Sequence, residues 1–439
     1  MSVVNSARII CVGFSVLFLS LFNSHAYSAL NEIEGKTLTL DECIDIGLQT
    51  NPSAEISLQN LKGHQERVGE AKGGYYPSFK LSSSYAYTTP LDSRAATSPD
   101  LYDTRFYVKQ TLYDAGATSN LVEGARQNIR VQEYDVRKIK LDIVLNIKGA
   151  FYEALKRRDL LGAAKNSLDS AEKHLEQAKA LYGEGLSPRS DVIKTEVQVS
   201  NARLDLIKAE NALLFAKANL AAAMGLSAAM TFEIKAEAPD PQTPLLPTLT
   251  ATMAHAYDRR PEVRGVKAKI ESAHTSIKQI ESGLYPNLSI DASYGWQETN
   301  FIPQDRKWSV GLTVSIPVFE RLTTQSKINQ AKANLNGTKA VELQTLRNVE
   351  LEVRQAWLSL KEALERAGVT KKTLEQAGED MRVSEGRYKE GLGNVLELID
   401  AQTALTQAKT NDIVSIYDIA NAKAKLDRAT GEDMRKETK

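Results

Sequence analysis

The sequence predicts a mainly α-helical fold with a small β part, in which one structural repeat occurs twice. Two stretches resemble each other, YGEGLSPRSDV from Tyr182 to Val192 and YKEGLGNVLEL from Tyr388 to Leu398. Heptad-like apolar patterns flank both stretches, and alternating apolar residues follow two Tyr-Pro pairs, at 76–77 and 285–286. We therefore expect each repeat to contain two strands and one long helical hairpin.

The first residues have the composition of a secretory signal. Arg8 precedes the apolar run from Ile9 to Phe22, and small residues then lead to a cleavage site after Ala26 or Ser28. The run is short for a membrane-spanning helix. We assign residues 1–28 to a signal peptide and expect an exported chain. Since no later stretch is long and apolar enough to span a membrane as a helix, an exported chain would be periplasmic, secreted or an outer-membrane β-barrel protein.

Charge and cysteine content exclude several classes of protein. The chain has 55 basic and 55 acidic residues, which argues against nucleic-acid binding and against a polybasic membrane patch. Of the two cysteines, Cys11 lies in the signal segment and leaves with it. Cys43 therefore has no partner for an internal disulfide, and we expect it to be a small core residue.

Each repeat begins with a short helix, a break and a second helix. The breaks are Asn51-Pro52 in the segment 38–58 and Arg260-Pro261 in the segment 250–266. After the Tyr-Pro pairs, the period becomes two in the segments 79–87, 106–112, 288–296 and 308–318. A polar loop from Thr88 to Asp103 separates the first two. These segments predict four strands, and their aromatic residues near the loop ends suit a lipid interface. A soluble sheet packed on helices would give the same alternation.

Long proline-free runs follow the strands, from Ala115 to Leu181 and from Arg321 to Arg387. As one helix, each would be on the order of 100 Å long and would need packing partners along its length. The repeats are predicted to occupy residues 29–236 and 250–439, joined by a proline-rich connector at 237–249, and to form one domain. The two similar stretches contain glycines that break the helical pattern, so we interpret them as hairpin turns. A plain coiled-coil core would also explain the flanking stripes.

Four strands per chain cannot close a barrel, and an open sheet edge cannot face lipid because its amide groups would lack hydrogen-bond partners. If the strands lie in a membrane, several chains must therefore pool them. Three chains would supply twelve strands, so a homotrimer is the smallest convincing closed assembly.

The duplicated plan, the signal segment, the GLxxNP-like opening, the Tyr-Pro pairs and the YxxGL turns together resemble the TolC family of outer-membrane efflux proteins. The resemblance covers essentially the whole mature chain. It implies a trimeric 12-stranded outer-membrane β-barrel, continued by a periplasmic α-helical barrel of long antiparallel coiled-coil hairpins. It also implies an exit duct of a tripartite efflux system, in which a periplasmic adaptor links the duct to an inner-membrane pump.

The resemblance also implies roles for residues of the two turns. Tyr388 and Asp191 match the family's gate-holding pair, and Glu397 and Asp400 match the acidic rings that narrow the periplasmic aperture and favour cations. Solvated acidic side chains at the turns are the alternative. The adaptor-contact turns are implied to be Gly185, Leu186, Ser187, Gly391, Leu392 and Gly393. Gly393 departs from the pattern, since a family member has a latch arginine at that position.

No catalytic pattern is present. The five histidines are scattered, and neither metal-site spacings nor phosphate-binding loops occur. We therefore expect no catalysis, cofactor or metal. Two alternatives stay open: the same channel serving one-step (type I) protein secretion, and a soluble periplasmic coiled-coil scaffold.

Overall fold

The computed structural model of the chain describes residues 35–87, 100–235, 246–298 and 305–432. The predicted signal peptide at 1–28 and most of the predicted connector, 237–245, lie outside the described residues. The same holds for the loop residues 88–99 and 299–304.

The two halves of the chain share a series of two short helices, two strands and two long helices, to which the first half adds the short strands β1 and β4. The first half contains β1 (Thr37–Leu38), α1 (Leu40–Thr50), α2 (Pro52–Lys72), β2 (Ser78–Tyr87), β3 (Asp100–Tyr113), α3 (Ala117–Gly183), α4 (Arg189–Met224) and β4 (Glu233–Ile234). The second half contains α5 (Leu249–Arg259), α6 (Pro261–Glu281), β5 (Asn287–Glu298), β6 (Lys307–Ser315), α7 (Arg321–Lys389) and α8 (Val395–Thr430). Corresponding helices are matched in length: α3 and α7 have 67 and 69 residues, and α4 and α8 have 36 each. The predicted long helices are confirmed.

The predicted breaks before the strands are also where helices end and begin. Asn51 and Arg260 adopt extended backbone conformations between consecutive helices, and Pro52 and Pro261 are the first residues of α2 and α6. Proline suits the first helical position because its fixed φ is helical and its missing N–H would have no partner inside the helix.

The described residues divide into two compact units. The helical unit contains residues 35–55, 139–235, 246–256 and 351–432. Its largest core cluster includes Cys43, Ile147, Phe151, Leu220 and Met224, all of them buried. Burial, followed by the charge of the adjacent Glu42, raises the pKa of the Cys43 thiol to about 12. Cys43 is therefore an unreactive core residue, as predicted.

Side chains at the Asn-Pro break also cap the C-terminal end of α4. The Asn51 side-chain amide donates to the Ala223 carbonyl at 3.0 Å, and the Thr50 hydroxyl donates to the Met224 carbonyl at 2.6 Å. Gly225 ends α4 with φ of +80°, and a Cβ there would lie 2.6 Å from the Asn51 Cα. The break thus supplies donors to helix-end carbonyls, and the close approach requires glycine.

Helix α8 is tied to α3 and α7 within the helical unit. The Arg428 guanidinium pairs with Asp142 of α3 at 2.7 Å and with Glu352 of α7 at 3.0 Å. The Tyr417 hydroxyl donates to the Asp159 carboxylate at 2.5 Å. These polar contacts join the second hairpin to the first.

The sheet unit contains residues 56–87, 100–138, 257–298 and 305–350. Its sheet has the order β2-β3-β5-β6, with antiparallel pairing throughout. Strands β2 and β6 therefore lie at the two edges of the described sheet. The pairs Leu81–Phe106, Phe106–Tyr294 and Tyr294–Trp308 fix the register across all four strands.

The register gives the sheet two different faces, because directly paired residues point to the same side. One face is apolar, and its large side chains are exposed in the single chain. They include Phe79, Leu81, Tyr85, Tyr87, Phe106, Tyr294, Trp308, Val310, Leu312 and Val314. The opposite face carries polar and charged groups, among them Lys109 and Asp291 at 4.0 Å and the Ser293–Ser309 hydroxyl pair at 2.9 Å. The described helices therefore leave the apolar face uncovered.

Two strand boundaries differ from the prediction. Strand β3 begins at Asp100, so the predicted loop from Thr88 to Asp103 was wrong in its last four residues. Asp100 pairs with Tyr87, and its carboxylate accepts a hydrogen bond from the Tyr85 hydroxyl at 2.7 Å, so the hairpin extends beyond the predicted strand. Strand β6 ends at Ser315 although apolar alternation continues to Val318. Pro317 has no N–H to donate to a strand ladder.

Within the described part of the chain, no helix combines the length and the apolar character needed to cross a membrane.

Candidate functional site

The candidate site consists of the two hairpin turns, residues 184–188 between α3 and α4 and residues 390–394 between α7 and α8. Both turns begin in the same way. Gly185 and Gly391 have φ of +73° and +70°, and the following Leu N–H donates to a carbonyl five residues earlier, at 2.8 and 2.9 Å. This is the Schellman arrangement, in which a left-handed glycine ends a helix.

The same geometry exposes one leucine at each turn. Leu186 and Leu392 follow the two glycines, and they are 71% and 75% exposed. Within the single chain, the turns thus present two apolar side chains to the surroundings, in equivalent positions of the repeat. The Ser187 hydroxyl oxygen is buried and has no hydrogen-bond partner among the described residues.

The second turn packs against the first hairpin through Tyr388. Its side chain is 4% exposed and belongs to a cluster with Met381, Val395 and Leu398, against which Leu181 of α3 also packs. Burial raises the pKa of the Tyr388 hydroxyl, and the negative charge of Asp191 raises it further. The two residues implied as a gate pair therefore lie within electrostatic range of each other in one chain. The Tyr388 hydroxyl itself has no hydrogen-bond partner among the described residues.

Asp191 lies in the first turn of α4, where the positive end of the helix dipole favours a carboxylate. It pairs with Lys194 at 3.5 Å. The equivalent tyrosine of the first repeat, Tyr182, is 48% exposed rather than buried. The duplicated turns have therefore diverged, and only the second places its tyrosine between the hairpins.

The two acids implied to line the aperture have different surroundings. Glu397 pairs with the Arg387 guanidinium at 3.2 Å, and its backbone N–H donates to the Asn394 side chain at 2.8 Å, which caps α8. Asp400, one helical turn later, is exposed and forms no ion pair within 4.0 Å among the described residues. In the single chain, the charge of Asp400 is less compensated than that of Glu397.

Arg387 was not anticipated from the sequence. Besides Glu397, its guanidinium lies 3.5 Å from the Leu392 carbonyl oxygen, so it contacts both sides of the turn. A Cβ at Gly393 would lie 3.2 Å from both the Arg387 Cβ and the Tyr388 nitrogen. An arginine thus contributes to this turn from the end of α7, while a side chain at position 393 would crowd Arg387 and Tyr388. No local spacing rule links residues 387 and 397, because the turn must form before they meet.

In the part of the chain that the structure describes, no group of three or more His, Cys, Asp or Glu side chains could hold a metal ion.

Comparison with known proteins gives consistent matches over most of the chain. The family model described as "Outer membrane efflux protein" matches residues 44–226 and 253–432. Protein CyaE of Bordetella pertussis is 24% identical over 407 residues, which cover 90% of this chain and 84% of that protein. Outer membrane protein TolC of Escherichia coli K12 is 20% identical over 379 residues, which cover 82% and 75%.

The fold is shared with solved structures. The open state of the Neisseria gonorrhoeae MtrE outer membrane channel superposes with a TM-score of 0.76 and 18% identity, over 91% of this chain and 90% of that chain.

Proposed function

Because the chain belongs to the outer membrane efflux protein family, we propose that it forms the passive outer-membrane exit channel of a tripartite efflux system. In this role it has no catalysis of its own. Substrate moves through the lumen of a homotrimer from an inner-membrane pump and a periplasmic adaptor.

The uncovered apolar face of the sheet is the observation that carries this proposal. A four-stranded sheet with open edges at β2 and β6 cannot lie alone in lipid, because each edge leaves backbone groups without partners. Pairing β6 of one chain with β2 of the next removes the edges. Three chains then give twelve strands with an apolar outer face and a polar inner face, as membrane barrels require.

The soluble-scaffold alternative fits this sheet poorly. A soluble protein would cover the apolar face with its own helices, whereas Leu81 and Trp308 are 69% and 76% exposed. Clustered exposed apolar residues of this kind mark a surface that another molecule or a membrane covers. Efflux is preferred over protein secretion because the description of the matching family model names efflux.

The turns are proposed to contact the adaptor. Leu186 and Leu392 are the most exposed large apolar residues of the two turns, and Gly185 and Gly391 hold them in equivalent orientations. Ser187 and Gly393 complete the contact segments. Apolar side chains exposed in equivalent positions of two turns suit a surface that a partner covers.

Conductance in planar lipid bilayers tests both the channel and its gate. The full-length protein is expected to show discrete openings. Tyr388→Phe and Asp191→Asn are each expected to increase the open fraction. The proposed hold is a hydrogen bond, formed in the trimer, between Asp191 of a neighbouring hairpin and the Tyr388 hydroxyl, which has no partner in the described part of the single chain. A loss of about 1 kcal/mol corresponds to about a fivefold change in that equilibrium.

Tyr182→Phe is the matched control for the gate, because it removes the equivalent hydroxyl at an exposed position, and it is expected to have no effect. Absence of any conductance would refute the channel. Openings whose frequency neither substitution changes would refute the gate assignment but not the channel.

Cation selectivity is expected to depend more on Asp400 than on Glu397. Neutralising Asp400 with D400N removes an uncompensated charge, whereas E397Q removes a charge that Arg387 already offsets. A change of about 1 kcal/mol in the free-energy difference between cation and anion passage changes the cation-to-anion permeability ratio about fivefold. Reversal potentials in a salt gradient measure this ratio. An effect of E397Q as large as that of D400N would contradict the assignment.

A further inference from the structure

A polar cavity lies between three helices of the helical unit, before the hairpin turns. Its volume is about 430 Å³, and it is lined by α3, α7 and α8. His174 of α3 lines it, together with hydroxyl and amide side chains such as Ser167, Gln402 and Thr406. The transport proposal assigns no role to this cavity.

His174 is one of two buried polar residues that line the cavity, the other being Gln402. The His174 side chain is 5% exposed, and its Nε2 atom has no hydrogen-bond partner in the described part of the chain. A buried ring nitrogen without a hydrogen-bond partner is destabilising unless a ligand or a water molecule forms that hydrogen bond. Burial lowers the pKa of the imidazole, the nearby Glu385 and Gln402 oppose this shift, and Lys389 adds to it.

The charges around the cavity have a positive excess. Each of the three helices contributes one lysine: Lys173, Lys389 and Lys409. Lys173 bonds Asp169 and Lys389 bonds Glu385, each at 2.7 Å. Lys409 forms no ion pair within 4.0 Å among the described residues. The cavity is therefore lined by one lysine without a counter-ion, Lys409, and by one buried ring nitrogen without a hydrogen-bond partner, His174 Nε2.

We propose that this cavity binds a small oxyanion, to which the His174 Nε2–H donates a hydrogen bond and Lys409 supplies the opposite charge. Donors on three helices suit a ligand with several oxygens, because each oxygen can accept from a different side. A cationic ligand is disfavoured by the three lysines, which face one lining carboxylate, Glu385.

Binding is expected to take up a proton. A protonated imidazole donates from both ring nitrogens, so it can bond Gln402 and the anion together. The nearby charges are Asp169 and Lys173 on α3, Glu385 and Lys389 on α7, and Lys409 on α8. An added anion shifts their balance toward protonated His174.

The sign of the pH effect follows from the direction of the pKa shift. Without an anion, the folded chain binds a proton at His174 less readily than the unfolded chain does, because the pKa of the folded group is lowered from 6.5. The stability of the fold is therefore greater above pH 6.5 and decreases as the pH falls below it. An oxyanion raises the pKa of folded His174 and so opposes the loss. The proposal is independent of transport, since all its residues belong to one unit of one chain.

Calorimetric titration of the full-length protein in detergent with sodium sulfate, against matched sodium chloride, tests the proposal. Sulfate keeps its charge across the useful range. We expect saturable binding that weakens as the pH rises from about 6 to about 8, by at most about tenfold per pH unit for uptake of one proton. An acetate arm shows whether carboxylates are accepted in addition to sulfate.

Three variants locate the binding. H174Q is expected to bind weakly and without pH dependence, K409Q to bind weakly with the pH dependence retained, and K372Q, an exposed lysine of α7 outside the cavity, to bind like the unsubstituted protein. Lys409 is exposed, so K409Q keeps the test valid should H174Q fail to fold. Heats equal to those of chloride, or sulfate binding that K409Q leaves unchanged, would overturn the proposal.

Discussion

Replacing Leu312 with lysine is expected to abolish assembly of the outer-membrane particle. Leu312 lies in the middle of β6, on the apolar face, and is 64% exposed in the single chain. If that face meets lipid, a lysine there costs about 2 to 4 kcal/mol per chain near the bilayer centre. Heat-resistant oligomer recovered from outer membranes measures assembly.

Thr313→Lys is the matched control, because the adjacent residue points to the opposite face. Thr313 pairs with Ser289, among the polar groups that would line the lumen. This variant is expected to assemble normally and to change only the conductance. Equal recovery of the L312K and T313K variants would show that the apolar face does not meet lipid.

A methyl group at Gly295 is expected to disrupt the centre of the sheet. Gly295 of β5 pairs with Arg105 of β3, and a Cβ there would lie 2.1 Å from the Thr104 carbonyl oxygen and 2.6 Å from the Arg105 Cα. Both contacts are with backbone, so no side chain can move aside. Overpacking typically costs about 1 to 3 kcal/mol, and a rigid backbone neighbour places this site at or above the upper end.

The control for Gly295→Ala is Gly311→Ala on the neighbouring strand. Gly311 pairs with Asp291, and no atom lies within 4 Å of a Cβ built there. The unfolding midpoint and the yield of oligomer should fall for the Gly295 variant alone. Similar losses in both variants would indicate a general requirement for glycine in the strands rather than this close approach.

The sequence predicted the features that rest on local chemistry. Proline-free apolar periodicity predicted α3 and α7, and the paired glycines predicted the turns, because a left-handed residue ends a helix wherever it occurs. The strands followed from alternation, apart from Asp100 to Asp103, where two acidic residues flank Leu101 and Tyr102 and where the pairing with β2 depends on register. Periodicity could not show that β6 stops before Pro317.

The candidate site was less predictable, because its contacts depend on how the hairpins pack. The repeat suggested that Tyr182 and Tyr388 are equivalent, yet only Tyr388 is buried. The pairing of Arg387 with Glu397 and the cavity at His174 arise from helices that meet only in the folded chain. Roles for Asp191, Glu397 and Asp400 came from family resemblance and remain proposals.

The mass of the particle extracted from outer membranes tests most directly whether each chain supplies one third of a channel. Native mass spectrometry after detergent extraction is expected to show three mature chains in one particle, with none released by osmotic shock alone. A single chain of this protein recovered from the periplasmic fraction without detergent would contradict the trimeric channel.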